Sequence, residues 1–219
     1  MEKELKRPDI SSFLDDSHRP PYNRSYQDIA EIFQGELGIT NSDDPKPVLA
    51  TYGVGPCVAF TGWAPKQKAG FLAHYDGLTD LSESFEVLLY WTSKSVRDLP
   101  IEFDVRLIQG DWPDKKIIDF IKARLNMRSD IPMKLVEEDV GVAMCKSIAL
   151  DTRTGQTYSY DPMQNPQTRD IPELEIMLTA AGVEYEARFT YKPQPTSIRR
   201  FSLSDFLRLP KKIINFCFD

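Results

Sequence analysis

Cys57-Val58-Ala59-Phe60-Thr61-Gly62-Trp63, then Ala64-Pro65-Lys66-Gln67-Lys68, then Ala69-Gly70-Phe71-Leu72-Ala73-His74-Tyr75 reads as two strands joined by a hairpin turn. With the turn centred between Pro65 and Lys66, residues whose numbers sum to 131 face each other, which sets Cys57 opposite His74. Directly opposite side chains have Cβ atoms roughly 4.5–5.5 Å apart, within reach of a thiol–imidazole pair. A one-residue slip would send one of the two to the other face. The chain has only three cysteines and two histidines, so pairing one of each narrows the chemistry.

Working outward, Pro47–Tyr52 is apolar and strand-like, and Gly53-Val54-Gly55-Pro56 breaks it. A second hairpin centred on Val54 would place Thr51 opposite Cys57, giving a row of Thr51, Cys57 and His74 across three adjacent strands. Upstream, Ser25 is positioned to cap a short helix, with Ile29, Ile32 and Phe33 on one face. Asn41–Lys46 is a polar linker. Downstream, Leu81, Phe85, Leu88, Leu89 and Trp91 mark an amphipathic helix over about 78–97. Ile101–Gln109 alternates as a half-buried strand, and Ile117, Ile118, Phe120, Ile121 and Leu125 stripe a second helix starting near Asp114. Strands follow at Met133–Val136, Lys146–Leu150 and Gln156–Tyr160. Beyond them the pattern predicts a third helix at about 172–181, an alternating stretch Tyr185–Tyr191, and a last strand at Lys211–Phe218. The expectation is an α+β layered fold, a mixed or antiparallel sheet core flanked by helices. It comprises an N-terminal extension over 1–46 and one domain over 47–219, elaborated from about 161.

Composition sets the outer bounds. At 219 residues the chain can bury a sizeable core. Hydrophobic content of 41% and charged content of 27% are those of an ordinary globular protein. The net charge of −6 gives no footprint for nucleic acid or an anionic membrane. No apolar run approaches the roughly 20 residues that insertion into a bilayer needs. The polar N-terminus does not read as a secretory signal. Cys57, Cys145 and Cys217 do not form a disulfide framework, which points to a reducing, cytoplasmic setting. Export by a dedicated secretion system stays open, because such export often needs no cleaved signal.

A cysteine is nucleophilic as thiolate, and a nearby histidine favours that form and can return the proton to a leaving amine. Thr51 would fix the imidazole tautomer, the third-group role of triads. The loop at Gly53, Gly55 and Pro56 would let a substrate approach and point backbone N–H groups at an oxyanion. Pro56 cannot donate, so those donors are Cys57 N–H and another loop amide. The plainer alternative is a small buried thiol beside a structural histidine. Elsewhere, His18 reads as a surface residue, Cys145 as a core thiol or a second thiol near the site, and Cys217 as packing. Asp76 and Asp80 follow His74 closely, so one of them could assist the imidazole, and capping of the 78–97 helix explains Asp80 at least as well. No Cys/His cluster has zinc spacing, and Gly53-Val54-Gly55 lacks the later glycine of a dinucleotide loop.

Thr51-Tyr52-Gly53-Val54-Gly55-Pro56-Cys57 resembles the Thr-x-x-x-Gly-Ser-Cys segment of the CheD-type chemoreceptor glutamine deamidases, in which a histidine follows at an interval like that to His74. Glu138-Asp139-Val140-Gly141 and Asp151-Thr152-Arg153-Thr154-Gly155 are similar to the family's second signature, and the order of elements over about 47–160 agrees. The resemblance implies a cysteine hydrolase fold shared with deamidating bacterial toxins, and deamidation of protein glutamine to glutamate. Carried over by position, Cys57 is the nucleophile, His74 the general base and acid, and Thr51 the orienting hydroxyl. No metal or cofactor is required. The partner is a client protein presenting an exposed glutamine, with a regulatory protein partner as a further expectation. Pro56 replaces the family's serine. Val142-Ala143-Met144-Cys145-Lys146 departs from its Gly-, Asn- and Arg-rich run, so Gly141 and Cys145 border the expected site. The alternatives are an inactive adaptor of the same fold, or a transglutaminase-like acyl transfer to an amine.

Overall fold

The computed structural model describes residues 18–95, 101–111, 114–127, 131–141, 145–165 and 199–202. Its strands are β1 (Ile29–Glu31), β2 (Glu36–Asn41), β3 (Val48–Val54), β4 (Val58–Ala64), β5 (Ala69–Tyr75), β6 (Phe103–Gln109), β7 (Met133–Val140), β8 (Lys146–Asp151), β9 (Gln156–Ser159) and β10 (Arg199–Ser202). Its helices are α1 (Leu81–Ser95) and α2 (Lys115–Met127). The strands form a four-stranded sheet in the order β1-β3-β8-β9 and a six-stranded sheet in the order β10-β2-β5-β4-β6-β7. Two pairings, β1 with β3 and β6 with β7, are parallel, so the fold is mixed α+β.

The β4–β5 hairpin forms, in a register two residues away from the expected one. Ala64 faces Ala69 and Ala59 faces His74, so paired numbers sum to 133. The loop is Pro65–Lys68, with Lys68 in the left-handed region at φ 47°. Pro65 has no N–H to give a ladder and suits a turn position instead, which moves the turn centre to Lys66–Gln67. Because side chains alternate with period two, a two-residue shift keeps every residue on its expected face.

The second hairpin does not form. β3 pairs with β1 and β8, whereas β4 pairs with β5 and β6, so Gly55-Pro56-Cys57 carries the chain from one sheet to the other. Thr51 lies opposite Ile148, and the expected three-strand row is replaced by a face-to-face arrangement.

Residues expected to form the extension enter both sheets. Ser25 does cap a turn, with Gln27 N–H donating to its Oγ at 3.2 Å, but the helix is a single 3-10 turn over Tyr26–Asp28. The fully buried Ile29–Glu31 then pairs with β3, which satisfies its backbone without helical bonds. β2 pairs with β5 and with β10, an edge strand that no sequence signal marked. α1 begins at Leu81, three residues later than expected, because Asp80 is its cap: Glu83 N–H donates to Asp80 Oδ1 at 3.0 Å. Asp114 caps α2 in the same way. The predicted elements at 172–181, 185–191 and 211–218, together with Cys217, lie outside the described residues.

Three apolar clusters define the layers. Phe60, Phe71, Phe103 and Val105 on the six-stranded sheet pack against Phe85, Leu88, Ile117 and Ile121 of the helices. Ala30, Ile32, Leu49, Ala59, Leu72, Ile108 and Ile148 fill the space between the sheets. Tyr22, Tyr52, Tyr158 and Tyr160 cover the outer face of the smaller sheet. Among the described residues no helix is long and apolar enough to cross a membrane.

Candidate functional site

Thr51 and His74 meet between the sheets. Thr51 Oγ1 lies 2.7 Å from His74 Nδ1, and both side chains are buried. His74 shares the inter-sheet face with Leu72, two residues earlier on β5, and with its cross-strand neighbour Ala59. Cys57 lies one residue before β4, where the alternation of that strand, continued, puts it on the face of Ala59. His74 Nε2 is buried with no hydrogen-bond partner. The structure thus brings Thr51 onto His74 Nδ1, and the Cys57 thiol does not hydrogen-bond to Nε2.

Burial decides the charge of both groups. It pulls the His74 imidazole down from 6.5 to about 4, against an opposing pull from the Asp76 carboxylate. It pushes the Cys57 thiol up from 9.0 to about 12, and the Asp76 carboxylate and the Cys145 thiol add to the rise. Burial therefore favours the neutral form of each group and opposes the expected thiolate–imidazolium pair. Cys145 is buried just before β8, and its thiol adds to the rise of Cys57. Gly141, at the end of β7, donates its N–H to Gln109 O at 3.1 Å.

The crossover loop is held at several points. Gly53, at φ 70°, marks an irregularity in the β3–β8 ladder between Thr51 and Val54. Gly55 N–H donates to Gly53 O at 2.9 Å, which removes it as an oxyanion donor. Gly110 N–H donates to Gly55 O at 3.0 Å, and Gln109 Nε2 donates to Pro56 O at 2.6 Å. The end of β6 thus fixes both carbonyls before the cysteine. Cys57's own N–H acts on its sulfur and partly offsets the rise that burial causes. Gln109 was missed by sequence reasoning because it reads there only as the last residue of an alternating strand.

A polar network ties the two sheets beside this site. Arg19, its side chain 3% exposed, ion-pairs with Glu137 and Asp139 of β7 and hydrogen-bonds Thr157 of β9. Lys146, at the start of β8, donates to Asp139 Oδ1 and to its backbone oxygen. Burial pushes the Asp139 carboxyl up, yet bonds from Lys146 and Arg19 outweigh it and hold it below the usual range. His18, Glu137 and Asp139 place potential ligand atoms within 4.8 Å of one another, but these carboxylates already serve Arg19, Lys146 and Arg106. Cations, not a vacancy for a metal, occupy their acceptor sites.

No family model matches the chain. A search of curated proteins finds "Uncharacterized protein R721" of Acanthamoeba polyphaga mimivirus, 36% identical over 199 residues, covering 77% of this chain and 73% of that protein. Similarity of that depth over most of both chains is that of a shared fold and descent, and the chain belongs to the family of this mimivirus protein.

Proposed function

We propose that the chain is a CheD-like cysteine hydrolase that converts a glutamine side chain of a client protein to glutamate, with Cys57 as nucleophile, His74 as base and acid, and Thr51 as orienting hydroxyl. One observation carries this reading: the Thr51–His74 hydrogen bond leaves a buried, unpartnered Nε2 on the face that Cys57 shares. When Nδ1 carries the proton it donates to Thr51 Oγ1, and Nε2 presents its lone pair. Such an orphaned acceptor costs stability, and a catalytic role is one reason for a fold to keep it.

Starting from the neutral pair, the thiol proton passes to Nε2 as Sγ adds to the carboxamide carbon. The imidazolium gives that proton to the departing nitrogen, and ammonia leaves a thioester. Water then adds, His74 takes and returns its proton, and the carboxylate departs from a regenerated thiol. Cys57 N–H supplies a donor to the oxyanion. The N-terminal strands and the glycine-proline crossover are elaborations of this chain on the proposed fold.

The second reading, an adaptor that binds without turnover, is favoured by the thiol held up to about 12 and by the missing Cys57–His74 hydrogen bond. Incubation with a library of glutamine-bearing peptides, read by ammonia release and by exchange of side-chain NH2 for OH in mass spectra, separates the two. Release by the wild type that disappears in Cys57→Ala is expected. Equal release from Cys57→Ala ends the deamidase reading, and absence of release from both gives the adaptor the lead.

A further inference from the structure

Gln109 grips the peptide group that carries the Cys57 amide. Its Nε2 donates to Pro56 O at 2.6 Å, and that carbonyl and the Cys57 N–H belong to one planar unit. The bond between them precedes a non-proline residue, so the unit is trans and its C=O and N–H point in opposite directions. Holding the oxygen therefore aims the hydrogen. Gln109 lies opposite Val58 in the β4–β6 ladder and shares the helix-covered face of the sheet with Val58 and Leu107. The Pro56 oxygen is taken from that side, which turns the Cys57 N–H toward the other, the face of Ala59 and His74.

Gln109 is itself fixed. Its backbone pairs with Val58 on one side and Val140 on the other, its carbonyl accepts from Gly141 N–H at 3.1 Å, and its side chain is buried. A carbonyl can only accept, so the amide must face Pro56 with its nitrogen, and Oε1 is left buried with no hydrogen-bond partner. A hydrocarbon side chain would carry no such cost, so packing alone does not explain a glutamine here. The other amides of the crossover are taken. Gly55 N–H is held by Gly53 O at 2.9 Å, Pro56 has none, and Gly110 N–H goes to Gly55 O at 3.0 Å. Among the described residues no carbonyl accepts the Cys57 N–H.

Resting on the deamidase reading, we propose that Gln109 is the positioning residue that holds the Cys57 N–H on the oxyanion formed when Sγ adds to the glutamine carboxamide. It acts through the Pro56–Cys57 peptide and touches neither substrate nor thiol. Without it the peptide is free to turn, and the donor leaves the oxygen that needs it.

A carbonyl probe and an alkylating probe separate this role from general support of the loop. Butanal places an aldehyde carbon where the glutamine side chain has its carboxamide. The thiol adds across its C=O: the C–S bond forms, the carbonyl π pair moves to oxygen, and the thiol proton ends on that oxygen through His74. The product is a thiohemiacetal and nothing is released. With carbon-13 at the carbonyl, its NMR signal, absent from Cys57→Ala, gives the dissociation constant on the intact chain. Iodoacetamide instead loses iodide from a saturated carbon and forms no oxyanion there. Gln109→Leu should weaken the butanal adduct about tenfold, the scale of one donor lost from an oxygen that gathers charge. Iodoacetamide should label the same variant at least as fast as wild type. Gln109→Met, unbranched and of similar length, should repeat both results and stands in if Gln109→Leu does not fold. Butanal binding and alkylation that fall together mark a structural residue and overturn the proposal. So do butanal binding unmoved by the substitution, a wild-type Cys57 that forms no adduct, and a chain that folds with neither variant. A Gln109-dependent adduct with no ammonia from any glutamine peptide would sink deamidation alone. Ammonia release lost in Cys57→Ala, with butanal binding indifferent to Gln109, would sink the role of Gln109 alone.

Discussion

Thr51 Oγ1 sits 2.7 Å from His74 Nδ1 although the two residues belong to different sheets. The bond therefore does two jobs. It fastens the four-stranded sheet to the six-stranded one inside the core, and it fixes which imidazole nitrogen is left over.

Replacing Thr51 separates these jobs. Thr51→Val keeps the shape but leaves Nδ1 buried without a partner, at a cost of about 1–3 kcal/mol. Thr51→Ser keeps the oxygen and should cost less. Urea unfolding reads the difference, and nitrogen chemical shifts of His74 should show one tautomer in wild type and Thr51→Ser, and a mixture in Thr51→Val. An unchanged tautomer in Thr51→Val would mean that something other than the hydroxyl orients the ring.

Gln109 holds the cysteine loop through the Pro56 carbonyl at 2.6 Å. Gln109→Leu preserves bulk and removes the donor, for a loss of about 1–2 kcal/mol. The local effect should exceed the global one: faster hydrogen exchange at the Cys57 and Val58 amides, and faster alkylation of Cys57, with exchange in α2 unchanged. Uniform loosening of the whole six-stranded sheet would instead mark Gln109 as a general core residue.

The course of legibility follows the range of the interactions. The hairpin was readable because Pro65 and its flanking strands are neighbours in sequence. Its register slipped by two through the loop length, yet the faces of Cys57 and His74 survived because parity is all that a face requires. Thr51 was correctly associated with His74 for a geometric reason that does not hold, since β3 and β5 face each other instead of lying in one sheet. Nothing local distinguishes a short hairpin from a chain crossing between sheets, and the choice rests on β8 and β6 as partners, roughly forty to a hundred residues away along the chain. Ile29–Glu31 carried a good helix signal after Ser25, and parallel pairing with β3 overrode it. Asp76 looked like one of two carboxylates near a helix start. The structure ties it through Gln34 to the turn between β1 and β2, a long-range contact that no local pattern announces.

Arg19 is the buried staple between the sheets near Lys146 and Asp139. Arg19→Met leaves Glu137 and Asp139 with one fewer buried cation, and roughly 3 kcal/mol of stability should be lost. Arg19→Lys should recover little, because an ammonium cannot reach both carboxylates with paired donors. Chemical denaturation of the three proteins checks this. If Arg19→Lys matches wild type, the network contributes charge balance alone and not the forked geometry.

His74 also makes stability depend on pH with a definite sign. Its folded value lies near 4 and its ordinary value is 6.5. Between these limits the unfolded chain binds a proton that the folded chain refuses, so unfolding becomes more favourable as pH falls. The stability tied to the neutral imidazole is fully present above about pH 6.5 and is lost progressively toward pH 4. Two and a half units correspond to about 3 kcal/mol. At the alkaline end Cys57 acts in the opposite sense. Its folded value is raised from 9.0 to about 12, so its contribution is complete below pH 9 and declines above it as the unfolded thiol ionises. Urea denaturation across pH 4–10 should therefore show a plateau near pH 7–8, with a fall on each side. His74→Gln should flatten the acidic fall and leave the alkaline one, and Cys57→Ala should do the reverse. An acidic slope unchanged in His74→Gln would show that His74 is protonated in the folded protein, and the neutral-pair mechanism would have to give way to a thiolate–imidazolium one.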